Sequence, residues 1–336
     1  MLKRGIVTRA SLARPRTRLG ARRHASLLLL HDLAGDAESP SHYDTVIRLV
    51  QMANGTWRDT FAGRLTALDE QLAAIVRRRT WTLAPLRVAD VGASSGATSV
   101  ELYETLRCVR AVDFVASDRW RDVFAVRPVA GGPTVVLDAD GNPVQYVVGG
   151  FVLPGQGEEP WFYPVNRVLR RRMERGPLAG ARAALAACDR TGLADFSSRT
   201  LGGLEVTRVP LLSPHCLRCA RERTDFRFEV ADVLRPLPWT VDVLRAVNIL
   251  TPFHFEPAAL RVAVATCLDA VAEGGLLVLG RSPSDRAADL RATIWERASD
   301  GLRVLARLGG GAEVEDLVTE IARDTTSAAP RAAGVR

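Results

Sequence analysis

The sequence predicts an α/β protein organised on a doubly wound parallel sheet, and three observations carry that prediction. From Leu86 onward, short continuously apolar segments alternate with helix-compatible ones, as expected of strands buried on both faces. The first strand–helix junction is a turn of small residues, Gly92-Ala-Ser-Ser-Gly96. An aspartate stands at or just past the end of each of the first three core strands: Asp90, Asp118 and Asp232.

Taken in order, the chain begins with a basic stretch. The first 23 residues hold Lys3 and seven arginines, with no acid before Asp32. These eight charges exceed the formal net charge of +7, so the rest of the chain is close to neutral. Such a body lacks the basic field of a nucleic-acid binder, and no nucleic-acid partner is expected. Residues 1–40 are read as a basic, disordered tail. No apolar run reaches membrane-spanning length, and five cysteines are an odd number. The expectation is a cytoplasmic chain in a reducing compartment, without a membrane partner.

Residues 41–85 read as a helical region. Tyr43, Val46, Ile47 and Val50 recur at helical spacing, as do Leu65, Leu68, Leu72, Ile75 and Val76, with Asn54-Gly55 between the two runs. The core domain follows over residues 86–310. Its strands are expected at Leu86–Val91, 111–116, Phe226–Val230, Val241–Val247 and 276–279, with helices at 97–106 and 257–272. Segments 292–298 and 302–308 flank Asp300-Gly301, which predicts a C-terminal β-hairpin. Residues 311–336 are read as a helix and tail.

The interval 119–225 is too long for a loop and reads as an inserted α+β subdomain. It carries a hairpin pattern (Thr134–Leu137 and 144–148), the aromatic patch Trp161-Phe-Tyr163 and a basic helix-like run, 165–175. That run, with Arg167, Arg170, Arg171, Arg172 and Arg175, is a solvated helix face or a site for an acidic partner. Both ends of the insert leave the sheet beside the aspartates, so it is expected to choose the substrate.

The turn and the aspartates define the candidate site. Small residues let a ligand approach the backbone, and the helix start favours electron-rich groups. Ligands of open parallel sheets bind outside the C-terminal edge, where Asp90, Gly92, Gly96, Asp118 and Asp232 would converge. Asp118 suits the two hydroxyls of a ribose and Asp232 an adenine amino group. Gly92-Ala-Ser94-Ser-Gly96 also satisfies G-x-S-x-G, which would make Ser94 a hydrolase nucleophile. That reading needs an aspartate and then a histidine after later strands, and no histidine follows the 276–279 strand, the last being His254. A tight turn without a ligand is the third reading. The spacing is not the G-x-G-x-x-G of nicotinamide enzymes.

Four segments give the chain a family likeness. They are Val91-Gly-Ala-Ser-Ser-Gly96, Val115-Ala-Ser-Asp118, the run from Val241 through Asn248 to Phe253, and Glu273-Gly-Gly through Ser282. Together they resemble class I S-adenosyl-L-methionine (SAM)-dependent methyltransferases, and within that class the chemotaxis-receptor glutamate methyltransferases. The resemblance implies a Rossmann-like sheet with SAM as cofactor, held by Asp90, Gly92, Ser94, Gly96, Asp118, Asp232 and Asn248. It also implies methyl transfer to a small-molecule or protein acceptor.

On that reading Asn248 orients the acceptor and His254 serves as base, while Trp161 and Tyr163 cover the acceptor or pack inside the insert. Val247 stands where the family has arginine, and Ala97 and Thr98 where its turn carries acids. A non-catalytic SAM-binding module is the alternative. His215-Cys216-Leu-Arg-Cys219 is half of a zinc site without a second pair, so no metal is expected.

Overall fold

A computed structural model describes residues 3–14, 16–17, 22–34, 40–82, 85–156, 162–282 and 289–328. The chain divides into two compact units, one of residues 1–61 and 120–217, the other of residues 62–119 and 218–336.

The second unit carries the predicted sheet. Its elements in chain order begin with α3 (Thr66–Arg78), β1 (Leu86–Val91), α4 (Ala97–Arg107) and β2 (Val112–Asp118). After the excursion come β9 (Phe226–Val230), β10 (Val241–Val247), α8 (Pro257–Asp269), β11 (Val271–Arg281), β12 (Arg291–Ala298), β13 (Gly301–Leu308) and α9 (Glu315–Ala328). The strand order is β13-β12-β11-β10-β1-β2-β9. The strands from β11 through β9 are parallel, and β12 and β13 close the edge as an antiparallel hairpin.

This is a Rossmann-like α/β sheet. The chain runs outward from β1 through β2 to β9, then returns to lay β10 against the other side of β1. The order therefore reverses between β1 and β10, which places a ligand crevice above that pair. Every residue of β10 is buried, as a central strand requires. One core joins Ala89, Leu244 and Leu277 to Ala263, Val264 and Cys267 of α8 and to Val318 and Ile321 of α9. Tyr103, Phe114 and Phe226 form a separate aromatic cluster, with ring centroids 5.1–5.8 Å apart.

The first unit is an antiparallel sheet of six strands in the order β6-β5-β4-β3-β8-β7. These are β3 (Asp122–Pro128), β4 (Thr134–Leu137), β5 (Pro143–Val148), β6 (Phe151–Pro154), β7 (Ser198–Leu201) and β8 (Leu204–Pro210). Alternation decides the layering. Val123 and Ala125 face a core shared with Ile6, Leu27, Leu30, Leu33, Val46 and Ile47. Phe124 and Val126 face a second core, built with Met173 of α5 (Pro164–Arg175) and Leu178, Ala181 and Leu185 of α6 (Pro177–Ala187). The remaining helices are α1 (Leu29–Ala34), α2 (Pro40–Arg48) and α7 (Pro214–Glu222), and the boundary between the units falls inside α7.

Two expectations are corrected here. Residues 1–40 are not a disordered tail where they are described. Ile6 donates to His24 O at 3.0 Å and Ser26 donates to Ile6 O at 2.8 Å, while Leu12, Leu27, Leu29 and Leu33 are buried. The arginines between them hide this apolar pattern, because long cationic side chains can lie along a surface while their neighbours pack inward. Nor is 41–85 one helical region: α2 belongs to the first unit and α3 to the second.

Candidate functional site

The turn after β1 is held by the end of β2. Gly92 and Ala93 both donate to Ser117 O, at 2.8 and 2.9 Å, and Ser94 N donates to Asp118 Oδ2 at 2.7 Å. These bonds impose left-handed backbone at Gly92 (φ 76°), Ser94 (φ 55°) and Gly96 (φ 72°). Glycine accepts that conformation freely; Ser94 does so at a cost. Gly96 N is engaged as well, donating to Ala93 O at 2.8 Å, and the amides opening α4 remain available to a ligand.

Asp90 does not face the crevice as expected. Arg245 on β10 is its register partner, and the guanidinium meets both carboxylate oxygens at 2.8 Å. Ser99 Oγ donates to Oδ2 at 2.6 Å. Arg245 also reaches Asp69 Oδ1 on α3 and, at 2.9 Å, Thr98 O. Its side chain is 0% exposed. Burial alone would lower the Arg245 pKa, but Asp69 and Asp90 outweigh it and raise the value. Asp69 shares that one cation with a second carboxylate: desolvation, opposed by Arg245, lifts its pKa to about 6. Its Oδ2 has no hydrogen-bond partner.

Gly92 is also differently used. The space a side chain would take there is filled by Ile249; a Cβ at position 92 would lie only 2.3 Å from Ile249 Cγ2. The loop after β10 thus packs directly on the glycine turn. At the head of that loop Asn248 is left-handed (φ 67°). Its N–H donates to Gly280 O at 2.9 Å and its Oδ1 accepts from Ser282 N at 2.7 Å. Asn248 therefore staples the ends of β10 and β11, using the side-chain oxygen expected to orient an acceptor.

Partial burial lowers the His254 pKa, and a hydrogen bond to the Ile249 backbone opposes the shift. The imidazole is therefore neutral at neutral pH. Asp232 lies past β9, where Oδ1 accepts from Leu234 N at 3.0 Å and Oδ2 stands 3.7 Å from Arg119 Nη1. Among the described residues of the second unit, the hydroxyl oxygens buried without a hydrogen-bond partner are Ser94 Oγ, Ser95 Oγ, Ser117 Oγ and Thr251 Oγ1. They come from the turn, the end of β2 and the loop after β10, the three segments that frame the crevice.

The expected acceptor cover is not found at Tyr163. Its ring is buried in the first unit beneath Lys3 Nζ, 5.4 Å from the centroid, and its hydroxyl lies 3.4 Å from Thr17 Oγ1. It is an interior residue because the chain start packs over it. Trp161 lies outside the described residues. Cys216 and Cys219 are buried on α7 and are not joined in a disulfide, and among the described residues no three metal-ligating side chains cluster.

The strand order defines a class: a doubly wound α/β domain with its switch point between β1 and β10. No protein-family model and no curated protein sequence matches the chain. Among solved structures, it is similar to the CMeT domain of the citrinin polyketide synthase at 14% identity, covering 79% of this chain and 50% of that one, TM-score 0.32. An O-methyltransferase family protein from Burkholderia thailandensis is 9% identical over 75% and 44% of the two chains, TM-score 0.27. The amino pentose methyltransferase CalS10 from Micromonospora echinaspora is 16% identical over 73% of each, TM-score 0.26. The match to the first two spans about half of their length. These neighbours are methyltransferases.

Proposed function

We propose that the second unit binds SAM and transfers its methyl group to an acceptor. The observation that carries this reading is the set of unpartnered hydroxyls around a glycine turn at the switch point. A buried hydroxyl without a partner costs free energy that a polar ligand would recover. Ser94, Ser95, Ser117 and Thr251 fit a ligand rich in hydroxyl, amino and carboxylate groups, which describes SAM. Asp118, at the end of β2, suits the ribose, and Asp232 the adenine. Asp90 acts behind the turn as the anchor of Arg245.

SAM supplies a methyl group already activated by the sulfonium. The protein's task is then alignment and exclusion of water. Neutral His254 takes the acceptor's proton where there is one to remove. Asn248 fixes the loop that carries it. The finer reading, a chemotaxis-receptor glutamate methyltransferase-like enzyme, is supported by the run from Val241 to Phe253. Val247 in place of the family's arginine leaves small-molecule acceptors equally in view.

The hydrolase reading has one point in its favour, the left-handed backbone at Ser94. Against it, Ser94 Oγ is buried and has no hydrogen-bond partner, whereas an activated serine needs a base in reach. Incubation with SAM and a panel of hydroxyl, amine and carboxylate acceptors, read by S-adenosylhomocysteine release, tests the proposal. Release above the acceptor-free rate is expected. SAM binding with no release from any acceptor would favour the non-catalytic module.

A further inference from the structure

Helix α5 in the first unit has two faces of different character. Its inner face is anchored. Asn166 is fully buried and brackets Lys3, accepting from its N–H and donating to its carbonyl, both at 2.9 Å. Met173 and Leu169 pack on the core beneath. The outer face carries Val165 and Val168, 41% and 65% exposed, with exposed Arg167, Arg171, Arg172 and Arg175 around them. The one acid of the helix, Glu174, is taken by Arg170 at 2.8 Å. Among the described residues the side chains of these four exposed arginines make no ion pair or hydrogen bond.

That outer face is unfavourable in the isolated unit. Arg167 and Arg171, and Arg171 and Arg175, are like-charge neighbours one helical turn apart. Valine is a poor choice for a solvent-exposed helix position on propensity grounds. An anionic surface laid over the face would relieve both. Val168 sits between Arg171, Arg172 and Arg175 on the helical projection, so the layout is an apolar centre inside a cationic rim. This is the anatomy of a protein–protein contact.

We propose that the outer face of α5 docks an acidic α-helix of a partner protein, its carboxylates meeting the arginine rim and its apolar ridge covering Val165 and Val168. A membrane surface is disfavoured because the bulky apolar residues of α5, Leu169 and Met173, point inward, whereas interfacial helices bury such residues in lipid. Nucleic acid is disfavoured because its phosphate backbone would meet the arginines but lay a polar surface over Val165 and Val168, 41% and 65% exposed. A second copy of this chain offers α9 as an acidic helix. Its Glu320 and Asp324 are already paired with Arg261, and its Glu315 with Arg307.

The test uses the full chain and a fluorescent 20-residue helical peptide bearing a leucine ridge flanked by glutamates. A glutamine-for-glutamate peptide, a 20-base-pair duplex and phosphatidylglycerol vesicles serve as competing arms. Saturable binding of the glutamate peptide is expected. It should weaken at least tenfold in R171E/R172E and severalfold in V168N, and should fall steeply with added salt. Circular dichroism of both variants must match the parent; R171Q/R172Q, milder in charge, provides the same reading if R171E/R172E unfolds. No binding of the glutamate peptide, equal binding by the variants, or tighter binding to duplex or vesicles would overturn the proposal.

Discussion

Arg245 and Asp90 face each other in register across the parallel pair β10 and β1, joined by two hydrogen bonds of 2.8 Å in the interior of the sheet. Asp69, from α3, completes the triad on the same guanidinium. The switch point of the sheet is thus held by one buried cation between two carboxylates. Arg245→Met keeps much of the volume but leaves both carboxylates uncompensated. Breaking a buried pair in this way typically costs about 3–5 kcal/mol. Urea unfolding of the variant should show that loss; a change under about 1 kcal/mol would mean that the triad adds little.

Asp69 makes stability depend on pH in an unusual direction for a carboxylate. Its pKa rises on folding from 3.8 to about 6, mainly through desolvation. The folded chain therefore holds a proton that the unfolded chain gives up between those values. The contribution is fully present below about pH 4 and is lost as pH climbs through about 6. A shift of roughly two units corresponds to about 3 kcal/mol. Asp69→Asn removes the titration, so its stability relative to the parent should improve between about pH 4 and pH 7. Parallel stability curves for the two proteins over that range would rule out a raised Asp69 pKa.

Gly92 is constrained twice, by its φ of 76° and by Ile249. Gly92→Ala should destabilise the chain by about 1–3 kcal/mol through left-handed strain and overpacking. Ile249→Ala in the same chain should recover the packing part and leave the backbone part. The double-mutant cycle should therefore show coupling of about 0.5 kcal/mol or more. Additive effects would mean that Ile249 does not limit the site.

The parallel sheet is legible in the sequence because its strands are buried on both faces and bounded by clear turns. β1, β9 and β10 have the expected limits. β11 begins five residues before the expected 276, because the strand continues through Glu273-Gly-Gly, with a register shift opposite Val241 and Val243. Strands β3 and β8 of the insert are not expected from the sequence. Val123 and Phe124 enter different cores, so β3 carries the same continuous apolar signal as the parallel strands, but no helix-compatible segment follows it to mark a strand–helix unit. At the site, strand-end chemistry points to the turn and to Asp118. It does not point to Arg245, although a lone cation inside the apolar run Val241–Val247 is a signal that a buried carboxylate must face it.

Ser94 separates the cofactor turn from the hydrolase elbow. Ser94→Ala keeps the small size and loses only an unpartnered hydroxyl, so SAM binding should weaken by no more than a few fold. Neither protein should cleave p-nitrophenyl acetate above the buffer rate. Ester cleavage that disappears in Ser94→Ala would reinstate the nucleophile.

If the crevice framed by Gly92, Asp118 and Asn248 holds SAM, the full chain must bind it and Asp118 must contribute. Isothermal titration with SAM, run on the parent and on Asp118→Ala, measures both. Removing a carboxylate that accepts charge-assisted or paired hydrogen bonds costs roughly 1.5–3 kcal/mol, about tenfold or more in Kd. One-to-one binding is expected for the parent, and at least tenfold weaker binding for a variant that remains folded. Absence of binding by the parent, or equal affinity in the two proteins, would refute a SAM site at this switch point.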